Sequence, residues 1–168
     1  MGVPSTVSPQ PPATPSPPIA ADGLLDVSEA LNAFIALQGQ NARVTNLVAA
    51  DLHVGTIDVR ALILISRLTD VKPKQVADYL ELSTGAVTSL IDRMEKAALL
   101  TRVPHPTDRR SVILELAPAG FDAVDRIYDF YRRAFRDAVD PHHLDFLAAS
   151  LRALADSLAS TAAHDREP

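Results

Sequence analysis

The chain has 168 residues, 47% of them hydrophobic, enough for one domain with its own core. It contains no cysteine, which excludes disulfides, thiolate metal sites and thiol redox sensing. A formal net charge of −5 argues against indiscriminate nucleic-acid binding, and no run of ~18 apolar residues is present to span a membrane.

The N-terminus lacks the charged-then-apolar order of a secretory signal, so a cytoplasmic protein is expected. Its first twenty residues hold seven prolines and no charged side chain. Such a segment cannot bury enough apolar area to offset its ordering entropy, and residues 1–21 read as a disordered tail. A first helix is expected from about Asp26 to Ala50, with Val27, Leu31, Phe34 and Ile35 on one side. The polar run Gln38-Gly39-Gln40-Asn41 predicts a kink or break near Gly39.

Thr56 is read as the cap of the next helix, with Asp58 favouring its first turn. Ile57, Ala61, Leu64, Ile65 and Leu68 form its stripe, widened by Leu62 and Ile63 almost to a full cylinder. A short helix then starts at Pro73, where the missing N–H costs nothing, and buries Val76, Ala77 and Leu80. Glu81-Leu82-Ser83 makes a tight turn, and Ser83 or Thr84 caps the following helix.

That helix is the centre of the reading. Leu90, Ile91, Met94 and Ala98 follow Val87 as its buried stripe, while Thr84, Gly85, Thr88, Ser89 and Arg93 occupy the other face. A helix that is thin and polar at its leading end, braced by a shorter one, suits the DNA major groove. After Ala98 the pattern changes to period two, with Val112, Leu114 and Leu116 sharing one strand face and Thr101–Val103 as its partner. Pro104–Arg110 is a basic loop too long for a tight hairpin. The whole reads as a helix-turn-helix with a wing, mainly α with a small β-hairpin.

The helix from Pro118 to about Ala138 has two apolar rows, Phe121/Val124/Tyr128/Tyr131/Phe135 and Ala123/Ile127/Phe130/Ala134. Pro141 punctuates, and the last helix carries Leu144, Leu147, Leu151, Leu154 and Leu158. This is more apolar surface than one small wing module can cover. Residues 22–55 and 118–164 are therefore assigned to dimerisation, around a DNA-binding module at 56–117. A two-fold homodimer would bring two recognition helices to half-sites ~34–36 Å apart. The alternative is a self-contained helical bundle.

Candidate DNA contacts are Ser83, Thr84, Thr88, Ser89 and Arg93 on the helix and Arg109 and Arg110 on the wing. Hydroxyls can meet phosphates or base edges, and arginines reach phosphate or guanine. Ser83 and Thr84 have helix capping as their ordinary alternative, and Arg93 plain solvation. Asp92 and Glu95 would repel phosphate if they faced it, although Asp92 can pair with Lys96. A loop-borne guanidinium fits the negative potential of a narrow minor groove, with Asp108 able to hold its direction. Residues 71–120 carry seven Lys/Arg against six Asp/Glu, while the rest carries nine against fifteen, so this module is near neutral within an acidic chain.

From Leu82-Ser83 through Val87-Thr88, then Leu90-Ile91-Asp92-Arg93-Met94-Glu95-Lys96, the chain resembles the multiple antibiotic resistance regulator (MarR) family of winged-helix transcription factors. The likeness returns at Asp108-Arg109-Arg110-Ser111, Leu114 and Leu116-Ala117-Pro118-Ala119-Gly120, and covers roughly Leu24 to Ala163. The family usually has glycine at Ala98 and threonine at Ala117. A left-handed cap at Ala98 would cost ~1 kcal/mol, so that helix end is expected to close differently.

The resemblance implies a homodimeric, ligand-responsive repressor of a double-stranded, pseudo-palindromic operator. Arg110 matches the arginine that enters the minor groove, and Asp108 the carboxylate that holds the loop. Small aromatic or phenolic effectors are implied between the dimer helices and the winged module, with His53, Arg60 and Arg67 as candidate contacts. Two other classes remain, a winged helix used only for protein docking and an enzyme using His142 and His143 beside Asp140 and Asp145. Against the enzyme, no glycine-rich phosphate loop, nucleophile elbow or His-Glu-x-x-His is present, and no metal or cofactor is expected.

Overall fold

The computed structural model describes residues 27–108 and 111–164. The expected tail at 1–21 and the wing residues Arg109 and Arg110 lie outside the described residues. The order is α1 (Ser28–Leu52), α2 (Thr56–Arg67), α3 (Pro73–Leu80), α4 (Thr84–Lys96), β1 (Leu100–Pro104), β2 (Val112–Leu116), α5 (Pro118–Ala138), a 3-10 turn (Pro141–His143) and α6 (Leu144–His164). The chain divides after Ala42 into two compact units, the first holding the N-terminal part of α1.

Helix α1 runs through Gln38–Asn41 without the expected break. Gly39 stands in open space, so nothing competes with the helix there, and one helical glycine costs only ~1 kcal/mol. At α2, Thr56 is the first helical residue rather than the cap. Gly55 holds the cap position, and the Asp58 carboxylate three residues on accepts its N–H at 2.9 Å. The buried side of α2 also differs: Val59, Ala61, Leu62 and Ile65 are enclosed, Ile57 and Leu64 half-buried, and Leu68 largely exposed.

The main core joins α2, α3, α4, the hairpin and α5 through Leu62, Val76, Leu90, Ile91, Met94, Leu100 and Val124. A smaller cluster of Val48, Ala49, Val59 and Ile127 ties the end of α1 to α2 and α5. The strands pair antiparallel in the register Leu100↔Leu116, Arg102↔Leu114 and Pro104↔Val112. Strict alternation fails on β2, where Ile113 and Leu114 are both buried and Val112 is exposed. The outer edge of β2 is also bonded: the Leu114 N–H donates to the Val71 carbonyl at 2.7 Å.

Between α4 and β1 the chain turns sharply at Ala98, whose φ of 56° is left-handed. Leu99 N–H donates to the Met94 carbonyl at 3.0 Å and Ala98 N–H to Glu95 at 2.9 Å, the Schellman pattern usually completed by glycine. The helix therefore keeps the left-handed ending instead of avoiding it, and bears the Cβ strain. The Leu99 carbonyl accepts from Ala117 N–H at 3.1 Å, and Gly120 packs over the same oxygen so closely that a Cβ would come within 1.9 Å. Ala117 offers no side-chain cap, and Pro118 opens α5.

One polar bond crosses this apolar core. Asp58 has no exposed surface, and Arg93 of α4 grips it with Nε at 2.9 Å and Nη2 at 2.5 Å. The hydrogen bond to Asp58 is the leading cause that raises the Arg93 guanidinium above its ordinary pKa. Ala98→Gly should relieve the left-handed strain and stabilise the fold by about 1 kcal/mol in urea denaturation. Arg93→Ala should strip a buried carboxylate of its cation and cost about 2–3 kcal/mol, below the full value for buried pairs because the arginine is half exposed. Arg93→Lys should recover only part of that loss, since an ammonium cannot reproduce the two-pronged grip.

Candidate nucleic-acid interface

Ser83 is the cap of α4: its hydroxyl accepts the Ala86 N–H at 3.3 Å. Of the two capping candidates, it fills the role, and Thr84 becomes the first helical residue. Val87, Leu90, Ile91 and Met94 face inward, leaving Thr84, Gly85, Thr88, Ser89 and Asp92 exposed along the opposite strip. A Cβ at Gly85 would touch nothing within 4 Å, so the strip is slim as well as exposed. The Thr88 hydroxyl donates to the Thr84 carbonyl at 2.8 Å and the Ser89 hydroxyl to Gly85 at 3.1 Å. With their protons turned into the helix, both oxygens can present lone pairs outward, and Thr88 keeps its methyl group for apolar contact.

The two flanks of α4 are held by charge. On one side Arg93 reaches to Asp58 of α2, so this candidate DNA contact spends its Nε and one Nη within the protein. On the other, Arg102 of β1 meets both Asp92, at 2.5 Å, and Glu95. Its own backbone N–H donates to Glu95 as well, at 3.2 Å. The hydrogen bond to Asp92 leads in raising the Arg102 guanidinium, with burial opposing it. Asp92 thus takes Arg102 as its partner rather than Lys96, because the hairpin brings a forked cation alongside the helix. Neither Asp58 nor Arg102 was singled out as a site residue by sequence. For Asp58 the signal existed: an ionisable side chain among Ile57, Val59, Ala61 and Leu62 must find a counter-ion.

In the wing, His105 Nδ1 accepts the N–H groups of Thr107 at 3.3 Å and Asp108 at 3.2 Å. Ser111 returns to Asp108, its N–H to the carbonyl at 2.9 Å and its hydroxyl to the carboxylate at 2.5 Å. The described ends of the wing loop, His105–Asp108 and Ser111, are therefore organised by local hydrogen bonds. The effector candidates are more scattered. His53 follows α1 in a left-handed conformation, Arg60 lies over the Tyr79 ring at 6.0 Å, and Arg67 is exposed at the end of α2. One cavity of about 440 Å³ lies between α3 and α4, lined by Lys74, Ser83, Thr84 and Thr88 among others. Another, about 570 Å³, opens on α5 beside Tyr128, Tyr131, Arg132 and Phe135. Among the described residues, no group of three or more His, Asp or Glu is placed to hold a metal, His142 and His143 included. No described helix is long and apolar enough to cross a membrane.

Residues 54–111 match the MarR family model. The HTH-type transcriptional regulator PecS of Dickeya dadantii is 34% identical over 71 residues, covering 42% of this chain and 43% of that protein. The chain spans about half the length of such curated relatives, PecS and YkoM of Bacillus subtilis among them, both named as HTH-type transcriptional regulators. Among solved structures, AbsC, a MarR family transcriptional regulator from Streptomyces coelicolor, has a TM-score of 0.58 and 21% identity, covering 82% of this chain and 97% of AbsC. The S. aureus MepR-DNA complex has a TM-score of 0.51 and 15% identity, covering 74% of this chain and 96% of that one. At such identities the structures establish a common winged-helix fold. Residues 54–111 thus carry a module similar to that of the MarR family, within a chain of winged-helix fold.

Proposed function

We propose that the protein is a sequence-specific, double-stranded DNA-binding transcription regulator, a ligand-responsive repressor that acts as a homodimer on a pseudo-palindromic operator. The observation that carries this reading is the slim, hydroxyl-bearing strip of α4, capped by Ser83, exposed along its leading end and set beside the wing. The positive end of a helix dipole and its free N–H groups favour a phosphate there. Ser83, Thr84, Thr88 and Ser89 supply helix contacts, Arg109 and Arg110 reach DNA from the wing, and Asp108 orients it. Arg93 acts mainly by fixing the pose of α4. MepR, which shares this fold, has been solved on DNA, and that supports a common docking mode.

The homodimer reading draws on apolar surface left open. On α6, Leu144, Phe146, Leu154 and Leu158 are 40–75% exposed, and no residue of that helix is buried. Phe135 of α5 is exposed too, as are Leu31, Ile35 and Leu37 in the N-terminal unit. A second copy covering these faces gives the two-fold axis that a palindromic site requires. A cytoplasmic location goes with this reading. A small aromatic or phenolic effector, met by His53, Arg60 or Arg67, would release the operator by favouring a different spacing of the recognition helices.

The test is footprinting of the purified protein on the DNA flanking its own coding region, followed by binding over a salt series. A repressor making ~6–10 phosphate contacts should lose about 10³–10⁵ in affinity between roughly 50 and 200 mM salt. Arg110→Ala should weaken that binding while the dimer stays folded. A winged helix used only to dock proteins would protect no duplex and show no such salt dependence.

A further inference from the structure

Arg102 stands in an unusual position for a surface arginine. It lies on β1, yet its guanidinium turns back to the recognition helix, Nη2 to Asp92 and Nη1 to Glu95. The two carboxylates are three residues apart, so they stack on one flank of α4, and a single planar fork spans both. Asp92 is also one turn beyond Thr88 and Ser89 on the exposed strip, with its side chain 61% open to solvent. A phosphate held beside Thr88 or Ser89 would therefore lie within ~8–10 Å, the screening distance, of the Asp92 carboxylate.

Resting on the DNA-binding reading above, we propose that Arg102 is a charge-masking positioning residue: it neutralises Asp92 and Glu95 so that the recognition helix can approach a phosphate backbone. The triad braces the hairpin only modestly, since its Asp92 arm is largely exposed and such pairs contribute ~0–1 kcal/mol. Its placement beside the outward strip gives it a second role. The same helix loses Arg93 to Asp58, which leaves Lys96, a full turn further on, as its one other basic side chain. Without Arg102 the outward side of α4 would be net negative where it must meet a polyanion. The strut from β1 also fixes the hairpin against α4, through the Arg102 backbone N–H as well as its side chain.

Masking and simple bracing make opposite predictions for one variant. The test uses the full chain and a duplex that the wild-type protein selects from random sequence, with affinity measured over a salt series. Asp92→Asn combined with Glu95→Gln removes both repelling charges and frees Arg102, so it should bind about 10-fold more tightly at low salt, with a salt slope steeper by roughly one. Arg102→Ala should bind about 10-fold more weakly, and adding Asp92→Asn and Glu95→Gln to it should restore affinity to within about threefold. If the carboxylate double variant binds more weakly than wild type, or the triple variant is not rescued, Arg102 is a brace and the proposal is overturned. Unchanged affinity in Arg102→Ala overturns it as well. A wild-type protein that selects no duplex overturns the DNA-binding function itself, and this inference with it; the other failures leave that function standing.

Discussion

A carboxylate shut away from water must find a cation, and in this protein the cation comes from α4. Asp58 sits with no exposed surface in the most apolar helix of the winged module. It closes the N-terminus of its own helix through Gly55 and grips Arg93 on α4. The desolvation cost of Asp58 is recovered only when α4 lies in one rotation and one translation relative to α2. An apolar stripe tolerates small slides and rolls, whereas a two-pronged ion pair does not. The angle at which α4 presents its outer strip is thus set by a bond on its flank.

The opposite flank follows the same logic at the surface. Arg102 draws Asp92 and Glu95 toward the hairpin, which ties wing and helix into one body. Between the two flanks the outward residues are short, and their hydroxyl protons are already satisfied by backbone carbonyls. Charge is kept at the edges and small size in the middle. In a chain of net charge −5, the two carboxylates on this flank of α4 are thereby paired.

Much of this was legible in the sequence because periodicity reports burial. The stripe Val87, Leu90, Ile91 and Met94 fixed the inner face of α4, and the change to period two announced the hairpin. What remained hidden depended on partners distant in sequence. Arg93 gave no sign that its cation was taken, because Asp58 lies 35 residues away. Asp92 had a plausible local partner in Lys96, and only the hairpin register put Arg102 closer. At Ala98 the propensity argument correctly named the strain but not the outcome. Two backbone bonds and the packing of Leu99 under Gly120 outweigh a penalty of ~1 kcal/mol.

The slimness of the outer strip carries an evolutionary implication. Thr84, Gly85, Thr88 and Ser89 bond to nothing beyond their own helix in the contacts described, while the residues that hold α4 in place lie at its sides. Residues free of supporting duties can be exchanged at little thermodynamic risk. On the DNA-binding reading proposed above, a lineage carrying this scaffold could retarget itself to new genomic addresses by rewriting a handful of outward letters, leaving the frame that aims them intact.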